Sequence, residues 1–218
     1  MRLFFSAILL LSLFTTCTDP PEPVVEEDIY LPEDEVQQDD RSRMIWQQPG
    51  AVMDAMGDIR EKVIADIGAG EGFFAERLAP IADRVIAVEI DEKYISYLDT
   101  LRRFGLQKEF RPRLEPRLAT ADDPHLDKSE VDIILIVNTF MLIENKGDYL
   151  KKLYPALRSD GRIVIVDWKR KDTTLGPPKK DRLALGSLED MLRGAGFRVT
   201  SADDATLAYQ YIVVAEKE

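Results

Sequence analysis

Three glycines spaced two apart, Gly68, Gly70 and Gly72, follow an acidic residue, Asp66, in the run VIADIGAGEGFFAERL over residues 63–78. Glycines at that spacing let a backbone turn tightly and press against a ligand, because a Cβ would block both the turn and the approach. A dinucleotide pyrophosphate is held by G-x-G-x-x-G, and the position of the third glycine in that pattern is Phe73 here. An acid just ahead of the turn repels a pyrophosphate and suits a cation. A second acid, Glu89, stands about 20 residues past the loop, where a carboxylate can accept hydrogen bonds from the two hydroxyls of a ribose. Together these residues point to a nucleoside that carries positive charge.

Such a loop works only between a strand and a helix. Val63, Ile64 and Ala65 form an apolar, β-branched run that reads as a buried parallel strand. Phe73, Phe74, Arg77 and Leu78 fall at helical spacing after the turn. Residues 84–89 (RVIAVE) predict a second buried strand, with Asp91 capping a helix from Glu92 to Phe104. Residues 111–119 predict a weaker third strand, interrupted by Pro112 and Pro116. The run VDIILIV over 131–137 is the strongest strand signal and belongs at the centre of the sheet, with Asn138 at its carboxyl end. A helix from Asp148 to about Leu157, a turn at Gly161 and a strand from Arg162 to Trp168 follow. Ser187 is read as the cap of a helix to Gly194, ahead of two closing strands near 197–201 and 207–215. Upstream, Pro49 suits the first turn of a helix to about Met56, whose apolar face is Val52, Met53 and Met56. Strand–helix alternation ending in a strand pair predicts a single α/β domain: a seven-stranded, mostly parallel, doubly wound sheet.

The remainder of the 218 residues divides by composition. Residues 1–17 carry Arg2 and an apolar run from Leu3 to Phe14, too short to span a bilayer and suited to the core of a signal peptide. Residues 18–40 hold ten of the 40 acids and none of the 29 bases. Rich in proline and poor in apolar residues, that stretch predicts a disordered tether. The formal charge of −11 is therefore mostly local, and residues 41–218, the domain, are close to neutral. The basic footprint of a nucleic-acid binder is missing. The single cysteine, Cys17, rules out a disulfide within the chain, a zinc–thiolate cluster and cytosine-type thiolate catalysis near residue 138. No residue is assigned to a metal. The sole histidine, His125, falls in a loop and reads as exposed.

The pattern D-x-G-x-G-x-G resembles the first motif of class I S-adenosylmethionine-dependent methyltransferases. From about Trp46 to Val214 the chain is similar to a bacterial group of that family. The resemblance is carried by WQQPGAVMDAMG, VIADIGAGEGFFAERLA, VIAVEID, LATADDPHL, VDIILIVNTFMLIEN, LRSDGRIVIVDWK, LGPP and LAYQYIVV. It implies S-adenosylmethionine as cofactor, with Asp66, Gly68, Gly70 and Gly72 around the methionine part and Glu89 on the ribose. Asp122 would take the adenine, or Asp123 if the alignment shifts by one. Asn138 would line the methyl-transfer face. Trp46, Tyr209 with its neighbours Gln210 and Tyr211, and the Gly176-Pro177-Pro178 turn are substrate-side candidates. Where relatives often carry a histidine pair after the fourth strand, this chain has Met141-Leu142, so no catalytic residue is assigned there. The Asn-Pro-Pro-Tyr arrangement of amino-group DNA methyltransferases is also absent, which leaves a small molecule or a protein side chain as acceptor.

Residues 13–17 (LFTTC) resemble a bacterial lipoprotein signal, with Phe14 and Thr16 where smaller residues are usual. That likeness implies lipidation at Cys17 and an exported, membrane-anchored protein. The alternatives are a soluble periplasmic protein after cleavage, or an anchor that faces the cytoplasm. Two rival functions stay open: a non-catalytic, anchored ligand-binding or interaction protein that keeps the fold, and a nicotinamide-dependent oxidoreductase.

Overall fold

A computed structural model describes residues 42–217. The leader, Cys17 and the acidic tether of 18–40 lie outside the described residues. A helical turn over 42–46 (α1) leads into α2, Pro49–Met56, with Pro49 at its start and Val52 and Met56 buried. The sheet strands are β1 Val63–Ile67, β2 Arg84–Glu89, β3 Leu114–Leu118, β4 Val131–Val137, β5 Leu157–Trp168, β6 Phe197–Asp203 and β7 Gln210–Lys217. Four further helices connect them: α3 Phe73–Leu78, α4 Glu92–Thr100, α5 Lys146–Ala156 and α6 Leu185–Gly194.

The sheet runs β3-β2-β1-β4-β5-β7-β6. Pairings among the first five are parallel, while β7 lies antiparallel between β5 and β6. Seven strands, mostly parallel, with β4 in the middle, match the architecture expected from the sequence. Both faces are covered, so β1 is buried along its whole length. Ile64 faces the side packed by α2 and α3, and Val63, Ala65 and Ile67 face the side packed by α5 and α6. From β1 the chain steps to β2 on one flank, and β4 closes the other. The strand order therefore reverses at the carboxyl ends of β1 and β4, where open sheets of this type leave a crevice.

Several boundaries differ from the sequence reading. Strand β5 begins at Leu157 and absorbs the turn predicted at Gly161: Val131 pairs with Leu157 and Ile133 with Arg162, so residues 158–161 bulge out of the ladder. Helix α6 starts at Leu185 after an uncapped Ala184, which places Ser187 inside its first turn instead of at the cap. The earlier start lets Leu185 pack against the same buried face as Leu188 and Leu192. Helix α5 starts two residues early, at Lys146. After Asp91, which accepts from Lys93 N, α4 widens at Leu101–Gly105 into a π-helical turn.

That π turn packs on the glycine loop. A Cβ on Gly72 would come within 2.4 Å of Leu101 Cδ2 and 3.0 Å of Leu98 Cδ2, at a φ of +92°. Gly72→Ala should therefore destabilise the domain by about 1–3 kcal/mol through overpacking and left-handed strain. The check is the denaturant midpoint, and an unchanged midpoint would contradict this packing.

Candidate functional site

The glycine loop crosses the end of β1 with Gly68, Gly70 and Gly72 all at positive φ. The three do different work. A Cβ on Gly68 would strike the Thr139 side chain at 2.4 Å, so this glycine lets the loop close against the chain leaving β4. Gly72 makes room for Leu101. Only Gly70 opens outward: a Cβ there meets nothing within 4 Å, and the residue lines the crevice.

Across the loop sits Glu89, at the carboxyl end of β2 and only 8% exposed. Its Oε1 accepts from Gly70 N at 2.7 Å and its Oε2 from Ile90 N at 3.0 Å. A carboxylate offers about four acceptor positions, so two remain for hydroxyl donors. The interaction that orients Glu89 is thus made with the same glycine that faces the opening.

The crevice has two lobes, of about 750 Å³ and about 650 Å³, which meet at Gly68, Tyr94 and Thr139. Glu89, Asp91, Asp122, Leu142 and Tyr149 line the larger lobe. Asp122 accepts from Thr120 Oγ1 at 2.9 Å and pairs with Lys152 Nζ at 3.4 Å. The Thr120 hydrogen bond and the ammonium together hold its carboxyl below the usual range. Asp123, the alternative, also pairs with Lys152 Nζ, at 3.5 Å, and accepts from His125 N at 2.8 Å, but it does not line the lobe. His125 lies outside both lobes, with Nδ1 at 3.1 Å from Leu118 O.

Arg43, Trp46, Gly70, Asn138 and Trp168 line the smaller lobe. Trp46 stacks on Trp168 at a centroid separation of 5.1 Å. Trp168 closes the carboxyl end of β5, and Gly176 lies so close to its ring that a Cβ would fall within 2.4 Å. The Gly176-Pro177-Pro178 turn therefore backs the aromatic wall and does not enter the crevice. Asn138 adopts φ +57° and its side chain is held from behind. Gln210 Nε2 donates to Asn138 Oδ1, Gln47 Nε2 donates to Gln210 Oε1 at 3.3 Å, and Arg43 Nε donates to Gln47 Oε1. Both glutamines are fully buried.

Two sequence expectations change here. Asp66 was expected in contact with the ligand, yet it lies buried at 3% exposure under the loop and lines neither lobe. Its Oδ2 has no hydrogen-bond partner among the described residues. Burial pushes its carboxyl up to about 7, opposed by the charge of Arg43 and reinforced by that of Glu89. Tyr209 also misses the crevice. It lies just before β7 and its carbonyl accepts from Lys169 N at 3.0 Å, while its neighbour Gln210 is the residue that reaches Asn138.

Arg43, Gln47, Trp168 and Tyr149 were not singled out from sequence. A buried glutamine in an otherwise apolar strand start, as at Gln210, is the signal that could have led to them. Asp167 is a further buried acid, pushed up to about 6 by burial, that accepts from Met141 N at 2.9 Å and Trp168 N at 2.8 Å. It fixes the turn that carries Met141-Leu142, leaving Leu142 71% exposed at the larger lobe.

Residues 65–165 match a family described as "Methyltransferase domain". A probable S-adenosylmethionine-dependent methyltransferase of Mycolicibacterium smegmatis is 24% identical over 62% of this chain and 52% of its own length. Another from Mycobacterium tuberculosis is 27% identical over 62% of this chain and 48% of its own. The chain thus spans about half the length of the curated relatives it matches. Among solved structures, an S-adenosylmethionine-dependent methyltransferase from Aquifex aeolicus superposes with a TM-score of 0.76, covering 87% of this chain and all of that one at 23% identity. At that identity the likeness is one of fold.

Proposed function

We propose that this chain is a class I S-adenosylmethionine-dependent methyltransferase, a reading supported by the match of residues 65–165 to the methyltransferase-domain family and by the relatives named above, and that it transfers a methyl group to a small molecule or a protein side chain. The observation that carries the reading is Gly70: open to the crevice on one side and bound through its N–H to Glu89 on the other. The residues suit the cofactor in two further respects. Asp66 Oδ2 is a buried acceptor without a partner among the described residues, beneath a loop that would carry a cationic amino-acid end. Glu89 and Asp122 border a lobe deep enough for a nucleoside.

When bound, S-adenosylmethionine supplies a methyl group already activated on a positively charged sulfur. The chain's own task is alignment and exclusion of water. Glu89 orients the ribose, the glycine loop lets the backbone approach, and Asn138, Trp46 and Trp168 bound the space beside the methyl group. The loop at Met141-Leu142 contributes no titratable side chain, which suits an acceptor that is nucleophilic without a dedicated base.

Calorimetry of the chain with S-adenosylmethionine and S-adenosylhomocysteine tests this. Both should bind, and Glu89→Ala should weaken each by about 1–3 kcal/mol through lost charged hydrogen bonds. Binding of NADH with no heat from either adenosyl ligand would favour an oxidoreductase. Adenosyl binding with no methyl transfer to any acceptor would favour an interaction protein that keeps the fold. We also propose that Cys17 is lipidated and anchors an exported protein through the 18–40 tether. Label from fed palmitate should follow the chain into membranes, and a Cys17→Ser variant that keeps the label would refute it.

A further inference from the structure

The hydrogen-bond polarity of the smaller lobe is set from one end. An arginine side chain can only donate. With Arg43 Nε on Gln47, the Gln47 atom facing it must be the oxygen, and its amide nitrogen then faces Gln210. The same logic passes through Gln210 to Asn138, whose oxygen must face Gln210 Nε2. Amide oxygens and nitrogens look alike in outline, and orientation is normally inferred from surroundings. Here a donor-only terminus leaves each of the three amides one arrangement. At the far end, Asn138 is left with its NH₂ group, which has no protein partner among the described residues and belongs to a side chain lining the lobe.

The walls around that donor are aromatic. Trp46 and Trp168 form a stacked pair, and Tyr94 adds a third ring at the junction of the lobes. Arg43, which anchors the relay, lines the same space and brings positive charge. The acids of the lobe, Glu71 and Glu76, belong to the glycine loop and α3, the unit assigned to the cationic end of the methyl donor. A substrate ammonium at Asn138 would face an NH₂ group with nothing to accept its protons; an oxygen with lone pairs would be matched.

We propose that the methyl acceptor is a flat, unsaturated molecule presenting an anionic oxygen, a phenolate, enolate or carboxylate, and that Asn138 Nδ2 donates to that oxygen to select it. The assignment rests on the methyltransferase reading and narrows its substrate class. A lone pair of the oxygen forms the new C–O bond as the S–CH₃ bond breaks and its electron pair stays on sulfur. The anion becomes a neutral ether or ester and the sulfonium a neutral thioether. No proton has to be removed, which agrees with a lobe lacking histidine.

The chain has two tryptophans, and both line this lobe, so intrinsic fluorescence reads occupancy directly. With full-length protein saturated in S-adenosylhomocysteine at neutral pH, benzoate should quench with an affinity at least about tenfold above that of benzylammonium, the size of one charged hydrogen bond. Asn138→Asp, which keeps the shape and replaces the donor by an acceptor, should erase that preference. Asn and Asp both tolerate left-handed backbone, so the variant is expected to fold. Gln210→Leu, which frees the amide to turn over, should reduce the preference as well. Equal or tighter binding of benzylammonium, binding of neither probe, or a preference unchanged in Asn138→Asp would overturn the proposal. Absence of heat with S-adenosylhomocysteine would instead sink the methyltransferase reading beneath it.

Discussion

Gly70→Val should abolish binding of S-adenosylmethionine and S-adenosylhomocysteine while leaving the domain folded. The new Cβ has nothing among the described residues within 4 Å, so the side chain starts out into open space. The protein's own loss is therefore confined to holding an L-residue at φ +58°, about 1–2 kcal/mol. The Gly70 N–H is retained, so Glu89 keeps its partner. What is lost is space: the isopropyl group projects into the crevice at the point where the backbone must approach a ligand. An affinity drop of more than about 100-fold, about 2.7 kcal/mol, is expected. Calorimetry and a denaturant melt on the same variant separate the effects. The contrast with Gly72→Ala is the stricter test, because that glycine is surrounded by leucines and its replacement should cost stability first. Wild-type affinity in Gly70→Val would mean that the ligand does not pass over this loop.

The second large effect is a change in how stability depends on pH. Asp66 keeps its proton in the folded domain up to about 7, against an ordinary value of 3.8 in an exposed chain. Between those two pH values the folded state holds a proton that the unfolded state has released. Stability therefore falls as pH rises through this window, by at most about 1.4 kcal/mol per pH unit and up to about 4 kcal/mol in all. Above pH 7 the contribution levels off. Asp66→Asn removes the titration, so the difference in stability between variant and wild type should swing in the variant's favour from pH 4 to pH 8. A buried amide has its own unmet hydrogen bonds, but that cost of about 1–3 kcal/mol does not vary with pH. Asp167, pushed up to about 6, titrates in both proteins and cancels. Parallel stability profiles would show that Asp66 is already ionised in the free domain.

The same acid links stability to ligand. A cation arriving at the loop favours the ionised carboxylate, so S-adenosylmethionine should bind more tightly as pH rises through about 7 and should expel a proton. Calorimetry in buffers of different ionisation enthalpy would read that proton, and Asp66→Asn should bind more weakly and release none. A carboxyl kept buried and incompletely paired lowers the stability of the empty domain and becomes favourable when the site fills.

Local pattern alone carried much of this protein. The three glycines after an apolar strand, the acid ending the next strand and the VDIILIV run each depend on neighbours a few residues apart, because backbone freedom and side-chain alternation are short-range properties. Hence β1, β2 and β4 lie where the sequence places them, and Glu89 and Asp122 border the crevice. Strand order and register decided the rest. Asp66 is buried beneath the loop instead of lining the crevice because β1 is covered on both faces, which no spacing reveals. Gln47, Gln210 and Asn138 meet across separations of 163 and 72 residues only because β7 inserts beside β5 at the carboxyl edge where β4 ends. Trp46 finds Trp168 by the same closure. A buried amide relay has no period and no local signature: its members are recognisable as a unit only once the sheet has brought their ends within hydrogen-bonding distance.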